Sequence, residues 1–133
     1  MKDSTFRCIV EKAKKEGLQS VDSSFGNYSE NYFNHVVGSE QSAEQRIAAA
    51  AVLTNCAIKI AKTDGKSVLE SDDFKAALWL LHRPDDVTDK CVYGARNAYE
   101  GYASHKLPKG VDSNFVRDYI AAEKEGGQIS SVS

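Results

Sequence analysis

Between Ile47 and Ala61 this 133-residue chain places one charge, Lys59, and two other polar side chains, Thr54 and Asn55. Ile47, Ala50, Ala51, Thr54, Ile58 and Ala61 fall on one side of a helix, and Ala48, Val52, Cys56 and Ile60 on another. The pattern predicts a helix over about 43–63. Ser42-Ala43-Glu44-Gln45 opens it as a capping box, in which the Ser hydroxyl and the Gln side chain satisfy two orphan amides reciprocally. A helix that is apolar all round must be covered all round. In a chain this short, it is either the central helix of the fold or one sandwiched by a partner.

The rest of the sequence also reads as helical. Phe6, Ile9, Val10 and Ala13 make an i, i+3, i+4, i+7 stripe, with Arg7, Glu11, Lys14 and Lys15 opposite and Gly17 as the stop. Leu18 to Val21 reads as a connection. In the segment 22–41, rich in Asn, Ser and aromatics, Ser29 is placed to cap a short helix carrying Tyr32, Phe33, Val36 and Val37 up to Gly38. Ser71 is placed to cap a helix with Asp72 and Asp73 against its dipole and Phe74, Ala77, Leu78 and Leu81 as its buried stripe, which Trp79 and Leu80 are expected to widen, stopped by Pro84. Thr88 is placed to cap a helix to about 104 with Val92, Ala95, Tyr99 and Tyr102 on one face. Asp112 or Ser113 opens a last helix with Phe115, Val116, Tyr119 and Ile120. No internal repeat is read. The expectation is an all-α fold of five to six helices around a buried central helix, as a single domain over 1–125, with 126–133 as a disordered tail.

Residues 57–78, Ala-Ile-Lys-Ile-Ala-Lys-Thr-Asp-Gly-Lys-Ser-Val-Leu-Glu-Ser-Asp-Asp-Phe-Lys-Ala-Ala-Leu, form a helix end, a glycine, a short apolar loop and a capped helix. Over about 42–82 this resembles the central helix, second loop and third helix of the histone fold. Gly65, Lys66, Leu69, Asp73, Phe74, Ala77 and Leu78 fall on the family's positions. The resemblance implies that Lys66 and Asp73 are partners, with Lys in place of the family's Arg. It implies homo- or heterodimerisation through the central helix, with the loops 18–21 and 66–69 beside those of the partner. The partner face would comprise Val52, Cys56, Ile60 and Leu69. Tyr99 and Tyr102 would join it, because tyrosine has an apolar body and a polar tip suited to interfaces.

Charge narrows what the resemblance implies about DNA. The formal net charge is -2, whereas proteins that compact DNA are basic, because counterion release supplies most of their affinity. Between Ala43 and Leu81, Arg46, Lys59, Lys62, Lys66 and Lys75 are matched by Glu44, Asp64, Glu70, Asp72 and Asp73. The family's second basic loop residue is replaced by Ser67. Any DNA contact would come from Lys66, Ser67 and the first helix (Arg7, Lys14, Lys15), aided by a more basic partner.

Other chemistry finds little footing. From Asp64 the third and fifth positions are Lys66 and Val68, which supply no side-chain oxygens for a calcium loop. The tellurite-resistance family shares an Ala-x-x-Asp-Gly-Lys helix end with this chain. His82, Asp85 or Asp86 and Cys91 are a nominal Cys-His-Asp set. His82 reads better as a helix C-terminal cation and Cys91 as a packed small hydrophobe. Three cysteines and three histidines without paired spacing form no zinc motif, and no Gly-rich phosphate loop occurs. No catalytic residue, metal, cofactor or small-molecule substrate is expected. The odd, scattered cysteines fit a reducing intracellular compartment: the nucleus or nucleoid under the histone-like reading, otherwise the cytoplasm. No signal peptide or membrane span is read.

Two functions follow as expectations. One is a histone-fold-like dimerisation or interaction protein assisting DNA binding within a larger assembly. The other is a small helical inhibitor or immunity-type protein that binds a macromolecular target without catalysis.

Overall fold

The helix over 43–63 forms as its composition requires, and the rest of the chain is arranged around it. A computed structural model of the protein describes residues 2–32, 43–82 and 110–132. These form helices α1 (Asp3–Lys15), α2 (Ser23–Asn31), α3 (Ala43–Thr63), α4 (Ser71–His82) and α5 (Ser113–Val132), with two-residue strands β1 (Ser20–Val21) and β2 (Val68–Leu69). Every residue of α3 from Ala48 to Asn55 is buried, as are Ala57, Ile58 and Ala61. The cover is supplied by α4, α5, β2 and α1. The alanine run Ala48–Ala51 carries no bulk on any side, which lets these neighbours approach closely. The architecture is all-α, and the core is one contiguous cluster.

Asn55 is one of the few buried polar residues of α3, and it has a defined task. Its amide lies 3.4 Å from the Gly110 carbonyl and from the Asp112 N–H, donating to the first and accepting from the second. The central helix thereby holds the start of α5. Asp112 Oδ1 then accepts the Asn114 N–H at 2.9 Å, the geometry of an N-cap. Phe115, Val116, Tyr119 and Ile120 all pack inward. The helix continues to Val132, through the positions whose composition reads as a tail.

The fold corrects the expectation that no segment repeats another. Ala13-Lys14-Lys15-Glu16-Gly17 and Ala61-Lys62-Thr63-Asp64-Gly65 share one pattern and end their helices alike. Gly17 and Gly65 take φ of 97° and 73°, the left-handed region that glycine enters without a Cβ penalty. Leu18 N–H donates to Ala13 O at 2.9 Å, and Lys66 N–H donates to Ala61 O at 3.0 Å. Three residues past each glycine a strand begins, and the two strands pair in parallel, Ser20 with Val68 and Val21 with Leu69. A helix follows each strand, and their first buried aromatics, Phe25 and Phe74, meet edge-to-face at 5.7 Å. The chain therefore contains two helix–glycine–strand–helix units packed on each other.

The second helix of the first unit differs from expectation. It begins at Ser23 rather than at Ser29, and Ser29 lies inside it, donating its hydroxyl proton to Gly26 O at 3.1 Å. Ser23-Ser24-Phe25-Gly26-Asn27 is a run of weak helix formers, so local preference gives no signal there. Tertiary contact holds it instead: Phe25, Tyr28 and Tyr32 all present edges to Phe74 at 5.6–5.8 Å. Phe33, Val36, Val37, the Ser42 cap and the helix expected near 88–104 lie outside the described residues.

Phe74 is the ring on which both units converge. Phe74→Ala is expected to cost about 3–5 kcal/mol, because it removes a large buried side chain and leaves a cavity beneath three aromatic edges. Urea unfolding followed by far-ultraviolet circular dichroism checks this.

Candidate functional site: the paired loops and the charged face of α1

The loop after Gly65 carries a lysine held by two carboxylates. Lys66 Nζ donates to Asp73 Oδ2 at 2.9 Å, to Asp73 Oδ1 at 3.1 Å and to Glu70 Oε2 at 3.0 Å. Asp73, only 3 % exposed, also accepts the Glu70 N–H at 2.9 Å. Glu70 immediately precedes α4, so this is the back-reaching half of a capping box, made by Asp73 from the third helical position. Ser71, expected as the cap, is instead the first helical residue. Burial works against the Lys66 ammonium, but the hydrogen bonds to Asp73 and Glu70 outweigh it and raise its pKa. The lysine is therefore a structural cation, bound to two carboxylates rather than held out to a phosphate.

Its neighbour Ser67 has an exposed side chain, but its backbone is engaged. The Ser67 carbonyl accepts the Gln19 N–H at 2.7 Å and the Ser20 N–H at 3.3 Å. Asp22 N–H in turn donates to Leu69 O at 2.9 Å. The loops implied to lie beside those of a dimer partner are hydrogen-bonded to each other within one chain.

The residues expected at a partner face are correspondingly redistributed. Val52 and Leu69 are 0 % exposed and belong to the core, so neither is surface that a partner can reach. Cys56 and Ile60 are half-buried against the same core. Tyr99 and Tyr102 lie outside the described residues, as do Asp85, Asp86 and Cys91. Burial pushes the thiols of Cys8 and Cys56 up to about 11. At neutral pH both are protonated and are weak nucleophiles. The described residues contain no cluster of three or more His, Cys, Asp or Glu able to hold a metal ion, and no helix long and apolar enough to cross a membrane.

Arg7, Lys14 and Lys15 are all exposed on α1. The same helix carries a chain of ion pairs that sequence reasoning missed. Lys62 Nζ lies 2.9 Å from Glu16 Oε2, Glu16 Oε1 lies 3.0 Å from Lys12 Nζ, and Lys12 Nζ lies 2.9 Å from Asp112 Oδ2. The alternating charges bind the end of α3, the end of α1 and the cap of α5 into one clip. Only the Lys12–Glu16 step, at i, i+4, is legible from sequence spacing. Hydrogen bonds from Lys62 and Lys12 hold the Glu16 carboxyl below its usual range, and Lys12 does the same for Asp112.

Both carboxyls have folded pKa values below their unfolded ones, so their contribution is fully present above the unfolded carboxylate pKa of about 4. It is lost as pH falls through the depressed folded values. The urea midpoint is expected to drop over this acid window, and Lys12→Met is expected to flatten the drop. Separately, Asp73→Ala is expected to cost about 1–3 kcal/mol, since it strips Lys66 and the Glu70 amide of their main acceptor. Denaturation at neutral pH measures that loss. Compared with family models, with curated proteins and with solved structures, the chain finds no match.

Proposed function

We propose that this chain is a non-enzymatic helical interaction protein that engages a protein partner through the outer face of α4. The observation that carries the reading is the exposure of Trp79 and Leu80, at 60 % and 58 %, the large exposed hydrophobics among the described residues. Expected to widen the buried stripe, they instead stand one after the other outside it, because Asp73, Phe74 and Ala77 already anchor the opposite face of the helix in the core. A rigid helix presenting Trp beside Leu is an interface element: the indole supplies a large contact area for little conformational entropy, and Trp is enriched among residues that dominate binding energy. Toward the N-terminal side, Lys75 lies 3.7 Å from Asp72 and 5.0 Å from the centre of the Tyr28 ring, giving the patch a polar rim.

This is the inhibitor- or immunity-type function rather than the histone-type one. Pairing through the central helix has less to draw on, because Val52 and Leu69 are already consumed by the chain's own core. A DNA role has less support too. Lys66 is neutralised by Asp73 and Glu70, leaving Arg7, Lys14 and Lys15 as the exposed cations of the set.

Trp79 is the chain's single tryptophan, so it reports on its own surroundings. Its emission is expected to shift to the blue when the partner binds. Trp79→Ala and Leu80→Ala are expected to change stability by no more than about 0.5 kcal/mol while abolishing co-purification of a partner that Lys14→Ala still retains. A partner retained equally by the α4 variants would overturn the assignment.

A further inference from the structure

The two helix–glycine–strand–helix units match through their loops, but they are clamped unequally. Counted from Gly17 and Gly65, Leu18 stands where the second unit has Lys66, Asp22 where it has Glu70, and Phe25 where it has Asp73. The second unit ties its loop to the first turn of α4, because Lys66 donates to Asp73 and Asp73 also accepts the Glu70 N–H. Leucine and phenylalanine can form neither bond in the first unit. Asp22 makes no side-chain bond to the amides of α2; its carboxylate instead accepts the Ser24 hydroxyl proton at 2.6 Å.

The support of α2 is also narrower than that of α4. Helix α4 lies along the buried central helix, whereas α2, among the described elements, packs chiefly on α4. Its rings Phe25, Tyr28 and Tyr32 all converge on Phe74. Within α2, the Ser29 hydroxyl bonds back to Gly26 O, the kind of local bond that weakens a helix. Nine residues are too few for a helix to persist in water without tertiary support. The backbone just before α2 is fixed independently, since Asp22 N–H donates to Leu69 O at 2.9 Å. Asp22 itself is extended, with φ -74° and ψ 143°, and forms the joint between the paired strand and the helix.

We propose that α2 is a releasable strap over Phe74, hinged at Asp22, that opens as a unit while the rest of the fold stays intact. Its release uncovers Phe74 on the flank of α4 next to Lys75, whose ammonium lies over the Tyr28 ring in the closed state. Leu78 stands one turn after Phe74, and Trp79 one turn after Lys75. Opening therefore extends the exposed face of α4 from Trp79 toward Phe74. The opening is a property of the free chain and does not rest on the partner proposed for the outer face of α4. The second unit keeps its place throughout, because the Lys66–Asp73–Glu70 clamp holds its loop to its helix.

Native-state hydrogen exchange on the full chain, followed by NMR at rising sub-denaturing urea, tests the strap. After correction for intrinsic rates, amides 29–31 of α2 are expected to exchange at least about tenfold faster than amides 49–58 of α3 and 75–78 of α4. Their exchange is also expected to depend on urea much more weakly, because a local opening exposes less surface than global unfolding. Val116→Ala truncates a buried residue of α5, which packs on α1 and α3. It is expected to speed exchange in α3 and α4 at least about tenfold and to leave amides 29–31 unchanged. The same urea dependence and opening constant in α2 as in α3, or an equal acceleration of all three helices by Val116→Ala, would each overturn the proposal.

Discussion

The structure depends on hiding α3. Eight consecutive buried residues, Ala48 to Asn55, leave that helix no face for water, and each neighbouring element can be understood as part of its cover. Its alanines allow close approach, and α4 returns along it after the Gly65 turn. α5 is brought in by Asn55, which binds both Gly110 and Asp112. At roughly 25 cal/mol per Å² of apolar surface removed from water, the enclosure is the main source of stability, whereas the solvent-accessible, partly buried ion pairs of the Lys62–Glu16–Lys12–Asp112 clip add about 1 kcal/mol apiece. The clip fixes how the helices meet at one end; it does not hold the core together.

The second organising device is the duplicated helix–glycine–strand–helix unit. Two units with the same helix end can align their strands in register, because each strand starts the same distance past its left-handed glycine. The parallel pair that results is only two residues long, but it brings the following helices side by side and sets Phe25 against Phe74. The Lys66–Asp73–Glu70 cluster belongs to this arrangement. It ties the loop to the first turn of α4, and that turn fixes the direction in which Trp79 and Leu80 are presented.

What could be read from sequence follows physical lines. The bounds of α3 are legible because a charge-poor, nonperiodic run between Glu44 and Lys62 has one solution as a helix. The ends of α1 and α3 are legible because glycine in the left-handed region is a local requirement. A helix opener at Asp112 or Ser113 and Lys66 facing Asp73 are likewise local, set by capping chemistry and by a resemblance over a few dozen residues; the structure selects Asp112. The start of α2 is not legible, since Gly26 and Asn27 oppose it and contact with Phe74 across the chain supports it. Nor is the clip, where Lys12 meets a residue 100 positions away. The repeated Ala-Lys-x-acidic-Gly pattern was present in the sequence, but became evident as a repeat once both glycines were seen to end helices that feed paired strands.

The core, the paired loops and the exposed face of α4 all lie within one chain. The most direct check is unfolding at widely different protein concentrations, because a core shared between two copies makes stability depend on concentration by mass action. The account predicts a monomer by light scattering, with a thermal midpoint unchanged across a hundredfold dilution (about two decades). A dimer whose midpoint falls on dilution would contradict it and return α3 to a partner's cover.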